Sequence, residues 1–175
     1  MSSAPSERTL FSEHDIARRV RQIAQELASR APRPEIAVPV LAGAFVFAAD
    51  LLRGLAREGV QLETEFIWLR SYGRAQTASE VQVLRGPSEI VRDRTVLLID
   101  GVLERGATLA KAKTLLEEAG AAEVITAVAV GKSAANRRLT VDYSLFTAGP
   151  EFLFGYGMDA AGQGRGLPDI RIRIS

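Results

Sequence analysis

Asp100, Glu104 and the run Gly106-Ala107-Thr108 stand within one short stretch of the chain. A helix N-terminus offers free backbone N–H groups and a partial positive charge, which suits a phosphate. Gly106 lets the backbone come close to such a group, and Thr108 adds a hydroxyl donor. Carboxylates beside a phosphate site face hydroxyls, a metal ion or a proton in transit. The same residues also fit an ordinary strand, solvated acidic loop and helix. Both readings stand at this level, although strand ends in parallel sheets often carry ligands.

The elements around these residues decide whether they can meet. Val96-Leu97-Leu98-Ile99 is uniformly apolar, as in a strand buried on both faces, and Asp100 is expected where that strand ends. The segment from Leu109 is rich in helix formers and should end near Gly120. Upstream, Ile36–Leu41 reads as a core strand despite Pro39, which is awkward in a central strand. Ala42-Gly43-Ala44 is then a turn, and Phe45 to about Arg57 a helix. Thr64–Tyr72 reads as another strand with Trp68 as packing, 73–79 as a polar turn, and Val81–Leu84 as a returning strand. An apolar strand from Ala121 to Val130 leads into Gly131-Lys132-Ser133.

Ser12 can cap a helix, with Asp15 three residues on and Ile16, Val20, Ile23 and Leu27 at helical spacing. Residues up to about Arg8 read as a loose tail. Short strands are expected at 141–146 and 152–157, with Tyr156 as packing and Arg171–Ile174 as an edge strand. Alternating strands and helices predict an α/β fold, a parallel sheet flanked by helices.

Composition narrows the function. The 175-residue chain is 47% hydrophobic and 25% charged, which suits one globular domain. Its net charge of +1 gives no field for nucleic acid. Absence of cysteine excludes disulfides and thiolate chemistry. His14 is the one histidine, so it has no second ligand of its kind for a metal. No run is long and apolar enough to span a bilayer, and the polar first residues lack a secretory core, so a cytoplasmic protein is expected. Neither a P-loop nor a dinucleotide-binding glycine pattern follows a strand.

The stretch Val96–Leu109 resembles the phosphoribosyl pyrophosphate (PRPP) motif of type I phosphoribosyltransferases: apolar strand, two acidic residues, two apolar residues, an acid, a hydroxyl residue, glycine, any residue, threonine. The resemblance covers most of the chain. It is closest to the hypoxanthine/guanine branch, through Leu41–Leu51, Ser71-Tyr72-Gly73, Lys132 and Phe152–Asp159. It implies a core over about 33–131. A small hood would be built from the N-terminal segment and about 132–175, including the short strands at 141–146 and 152–157. The implied reaction is transfer of phosphoribosyl from PRPP to hypoxanthine or guanine with Mg2+, in a homo-oligomer, dimer or tetramer.

The resemblance also implies roles residue by residue. Asp100 would accept from ribose hydroxyls and face the metal, and Glu104 would act as general base toward the purine. Arg105, Gly106, Ala107, Thr108 and Leu109 would cradle the 5′-phosphate. Ala42 and Gly43 would bind pyrophosphate through backbone amides, with a cis peptide before Ala42, and Arg165 would contact the same group. Ser71 and Tyr72 would form the base of a flexible lid. Lys132 would donate to the exocyclic oxygen, Phe152 would stack on the base, and Leu153 would meet its edge through the backbone. Asp159 would lie near the metal.

Arg105 replaces the small hydroxyl residue of the pattern, and three more positions depart where the pattern concentrates charge. Ala42 lacks the usual cation, Glu104 is one methylene longer than the usual aspartate, and Gly101 replaces the second acid. An aspartate at 101 is expected to restore a ribose contact. Two alternatives keep the fold: a nucleotide-binding or regulatory protein with little turnover, and a transferase for another base.

Overall fold

The computed structural model describes residues 6–71, 80–133 and 140–174. The Val96–Ile99 run lies at the centre of the larger of two sheets among these residues, and its neighbours follow from its burial on both faces. The chain runs β1 (Ser6–Phe11), α1 (Glu13–Ser29), β2 (Ile36–Leu41), α2 (Phe45–Arg57), β3 (Glu63–Thr64) and β4 (Ile67–Ser71). It continues through β5 (Val81–Arg85), β6 (Thr95–Leu103), α3 (Ala107–Glu118), β7 (Glu123–Lys132), β8 (Tyr143–Ala148), β9 (Leu153–Phe154) and β10 (Ile170–Ile174).

The large sheet has the order β5-β4-β2-β6-β7-β8, with the short β3 also paired to β2. All pairings in it are parallel except β4 with β5. Alternation along β6 divides the core. Leu97 and Ile99 pack with α1 and α2 on one face, through Ile23, Leu27, Phe47 and Leu51. Val96 and Leu98 pack with α3 on the other, through Leu109, Ala112 and Leu116. Helices on both faces bury every side chain of the run, as a parallel sheet requires. The α1 cap is as expected: the Asp15 N–H donates to Ser12 Oγ at 3.2 Å.

The second sheet has the order β1-β10-β9, all antiparallel. Its inner residues Leu153, Ile170 and Ile172 join the α1/α2 core. Phe11 of β1 stacks on Phe146 of β8 with ring centroids 4.0 Å apart, which ties the two sheets together.

Several expectations are corrected. Ser6–Arg8 is not a loose tail but half of β1, hydrogen-bonded to β10 at the far end of the chain. Strand β6 does not end at Asp100; it runs on through Leu103, because Val102 and Leu103 stay in register with Val130 and Gly131 of β7. The strand expected in the hood at 141–146 belongs to the large sheet, since Tyr143–Ala148 pairs in parallel with β7. The single strand read at 64–72 is two, β3 and β4, which pair with successive parts of β2. Trp68 is not core packing: it sits on the outer side of β4, opposite Arg85, and is 46% exposed.

Candidate active site

The C-terminal ends of β2, β4 and β6 and the start of α3 enclose a cavity of about 350 Å³. Gly43, Ser71, Asp100 and Glu104 line it, together with Arg105, Gly106, Ala107, Thr108 and Leu109. Residues from three separate parts of the sequence therefore meet at the strand ends, as parallel topology favours. Val40, Leu41, Leu69, Val102 and Leu103 complete the wall; as strand-end apolar residues they carried no separate signal in the sequence. Tyr72, and the lid read at 73–79, lie outside the described residues.

The α3 N-terminus has the form of an anion site. Its cap, Gly106, has φ +81, which a left-handed residue without a Cβ tolerates, and no side chain caps the first turn. That turn carries no acid, so its open N–H groups and dipole face the cavity uncompensated. Arg105 is exposed at its rim, with no partner among the described residues. Across the cavity, the Leu41–Ala42 peptide is cis, as expected. The Ala42 and Gly43 amides donate to no backbone acceptor among the described residues, so they too are open donors.

Asp100 lies beneath these groups. Desolvation pushes its carboxyl up to about 7, while the hydrogen bond from the Gly101 N–H to Oδ1, 2.7 Å long, pulls the other way. Oδ2 has no hydrogen-bond partner among the described residues. A magnesium ion takes one or two carboxylates when phosphate oxygens complete its octahedron. Asp100 fits such a role. Asp159 is engaged through both oxygens: Oδ1 pairs with Arg165 Nη2 at 2.7 Å and Oδ2 accepts the Gly162 N–H at 2.8 Å. No cluster of three or more acidic or histidine ligands exists among the described residues.

Register explains the next contact. Leu103 stands opposite Gly131, so the following residues of the two strands, Glu104 and Lys132, project from adjacent strand ends. Lys132 Nζ donates to Glu104 Oε1 at 2.5 Å. The lysine side chain is 11% exposed and the glutamate 57%, so a nearly buried lysine is held by a solvated glutamate. Lys132 thus joins the cavity through Glu104 rather than by lining it.

The remaining predicted residues lie apart from that cavity wall. Phe152 is 52% exposed, and Leu153 is buried in β9. Arg165 also donates to the Gly157 carbonyl at 2.7 Å and lines a second cavity, beside α1 and α2. Tyr156 is buried, as read, and its hydroxyl donates to Asp50 Oδ2 at 2.8 Å.

Gly101 and Gly157 carry a relationship that the sequence reading missed. A Cβ on Gly101 would stand 2.8 Å from the Gly43 carbonyl oxygen, and one on Gly157 would stand 2.7 Å from it. Both glycines let the Gly43 loop sit close against the sheet. A side chain at 101 would meet backbone first, which stands against the expectation that aspartate there restores a ribose contact. The paired glycines of Gly155-Tyr156-Gly157 were the available signal.

A twisted parallel sheet with helices on both faces, a PRPP-type motif at the end of its central strand and a small antiparallel sheet beside it define a type I phosphoribosyltransferase. The phosphoribosyl transferase domain model matches residues 7–161, and the chain belongs to that family. It is 37% identical over 133 residues to the hypoxanthine-guanine phosphoribosyltransferase of Crithidia fasciculata, covering 75% of this chain and 64% of that protein. The Aquifex aeolicus hypoxanthine-guanine phosphoribosyltransferase is 31% identical over 165 residues, covering 92% of this chain and 91% of that protein. The solved hypoxanthine phosphoribosyl transferase of Trypanosoma cruzi superposes with a TM-score of 0.87 at 27% identity, over 99% of this chain and 94% of that one. The chain spans just under two thirds of the Crithidia protein and of its Leishmania donovani counterpart, at 64% and 63% of their lengths. No helix among the described residues is long and apolar enough to cross a membrane.

Proposed function

We propose that the chain is a purine phosphoribosyltransferase of purine salvage, which transfers phosphoribosyl from PRPP to hypoxanthine or guanine. The observation that carries this is one cavity holding the open α3 N-terminus, Asp100 and Glu104, with Lys132 bound to Glu104. The similar proteins named above support the same reading.

The reaction forms a bond from a purine ring nitrogen to the anomeric carbon of PRPP and breaks that carbon's bond to pyrophosphate. The N–H groups at Ala107, Thr108 and Leu109, with Arg105 and Gly106, hold the 5′-phosphate. The amides of Ala42 and Gly43 hold the leaving pyrophosphate, and Arg165 adds charge beside it. Asp100 accepts from a ribose hydroxyl. Glu104 takes the ring proton, Lys132 donates to the exocyclic oxygen, Phe152 stacks on the base and the Leu153 backbone meets its edge. Ser71 and Tyr72 close the base of a lid that excludes water. Asp100 and Asp159 would hold magnesium, which would supply positive charge against the pyrophosphate, and Asp159 also orients Arg165. The small sheet serves as the hood over the base. The protein works in the cytoplasm as a dimer or tetramer.

A base screen with PRPP and magnesium, following pyrophosphate release, tests this. Hypoxanthine and guanine should release pyrophosphate. Release with another base alone would make it a different transferase. PRPP or nucleotide binding without release would make it a nucleotide-binding protein, the reading that the single carboxylate beside Gly101 favours.

A further inference from the structure

We infer that Glu104 is a latch on Lys132, which keeps the base subsite closed until a ligand takes over the ammonium. This rests on the reading of Lys132 as the base anchor. The contact is short, 2.5 Å, and Glu104 is the only partner of Nζ among the described residues. The two partners differ in exposure. The lysine is buried at 9% exposure and fixed at the end of β7, while Glu104 lies in the exposed loop between β6 and α3. The glutamate returns to water when the pair splits, and a ligand oxygen that takes its place keeps the buried ammonium paired, so the exchange leaves no uncompensated charge.

The length of the side chain matters. An aspartate at 104 would withdraw the carboxylate by about one C–C bond, roughly 1.5 Å, placing it about 4 Å from Nζ and beyond a hydrogen bond. The extra methylene of glutamate is what closes the contact. The pair also sets what can open it. A ligand whose carbonyl oxygen accepts from Nζ replaces Glu104 on Lys132 and frees the carboxylate. An edge with an amino group in place of that oxygen presents a donor to the ammonium and leaves the latch shut.

The chain has three lysines, Lys111, Lys113 and Lys132, which makes side-chain ammonium NMR readable residue by residue. In the ligand-free protein, Lys132 should give a 1H–15N ammonium signal protected from water exchange. Glu104→Asp and Glu104→Ala should both abolish that protection. Calorimetry should show inosine monophosphate binding Glu104→Asp several-fold to about tenfold more tightly than wild type. Protection that persists in Glu104→Ala overturns the latch, as does lost protection with no gain in affinity in Glu104→Asp when the wild type binds the nucleotide. If protection is lost as expected but the nucleotide binds neither protein, the hold on Lys132 stands and the purine reading falls.

Discussion

The Gly43 carbonyl oxygen lies against Gly101, so closely that a Cβ at 101 would stand 2.8 Å from it. The Met158 side chain bounds the same space at 3.5 Å. Gly101 is not held by a left-handed backbone, since its φ lies outside that region. The constraint is space, and the obstacle is backbone, which cannot rotate away. Glycine here lets the Gly43 loop sit directly on β6.

Gly101→Ala and Gly101→Asp should therefore both weaken PRPP binding. Overpacking against backbone costs about 1–3 kcal/mol, or roughly fivefold to a hundredfold in affinity if the loop moves to relieve it. Titration calorimetry on the folded variants reads this. Tighter PRPP binding by Gly101→Asp would show that the loop yields easily and that the carboxylate was the missing element.

Asp100 makes PRPP binding pH-dependent. Its carboxyl is raised to about 7 by burial, so the native protein holds a proton there that an unfolded chain would release. Between the ordinary carboxylate range and about 7, the native state binds more protons than the unfolded state, so this group's contribution to stability falls as pH rises through that window. A ribose hydroxyl donating to Asp100 needs the ionised form. PRPP affinity should then rise as pH increases through about 7, with proton release on binding. Asp100→Asn should flatten both trends. Calorimetry across about pH 6 to 8, in buffers of different ionisation heat, measures affinity and proton count together.

Much of this geometry was legible because its signals are local. The apolar run at 96–99, the α2 segment 45–57 and the Ser12 cap each carry their own periodicity or capping chemistry. What was illegible depends on distant partners. Ser6–Arg8 has no strand signal of its own and is ordered by β10. Asp100 looked like a strand end because Gly101 breaks the apolar run, yet pairing with β7 carries the strand three residues further. Glu104 and Lys132 were each recognisable by type, but their contact follows from the β6/β7 register. Gly101 was visible as a departure, while its reason, the Gly43 carbonyl, was not.

Lys132→Ala should separate the base site from the phosphate site. The ammonium is placed beside Glu104 and away from the α3 N-terminus, so its loss removes a charge-assisted donor from the base alone. Such a bond contributes about 1.5–3 kcal/mol, roughly tenfold to a hundredfold in purine affinity or use. PRPP affinity should change by less than about threefold. Equal losses in both would assign Lys132 a structural role. Steady-state kinetics with each substrate varied, alongside PRPP calorimetry, make the comparison.

The turn that brings Gly157 and Met158 to the Gly43 loop should fail if Gly155 gains a side chain. Gly155, Tyr156 and Gly157 all have positive φ, at +92, +49 and +95, which is unusual for three successive residues. Tyr156 is held there by burial and by its bond to Asp50. A Cβ at 155 would stand 2.2 Å from the Asp169 carbonyl oxygen. Gly162 is the internal control, with φ +84 but nothing within 4 Å of its Cβ. Gly162→Ala should cost only left-handed strain, about 1–2 kcal/mol. Gly155→Ala adds displacement of a backbone carbonyl at the start of β10, for a total above about 3 kcal/mol. For a chain of this size each kcal/mol lowers the melting temperature by about 2–4 °C, so Gly155→Ala should melt at least about 6 °C below wild type and Gly162→Ala about 2–8 °C below it. Since the displaced turn carries Gly157, the Gly155 variant alone should also bind PRPP more weakly. Equal melting temperatures for the two variants would mean that the Asp169 carbonyl moves aside without cost and that the turn tolerates a side chain at 155.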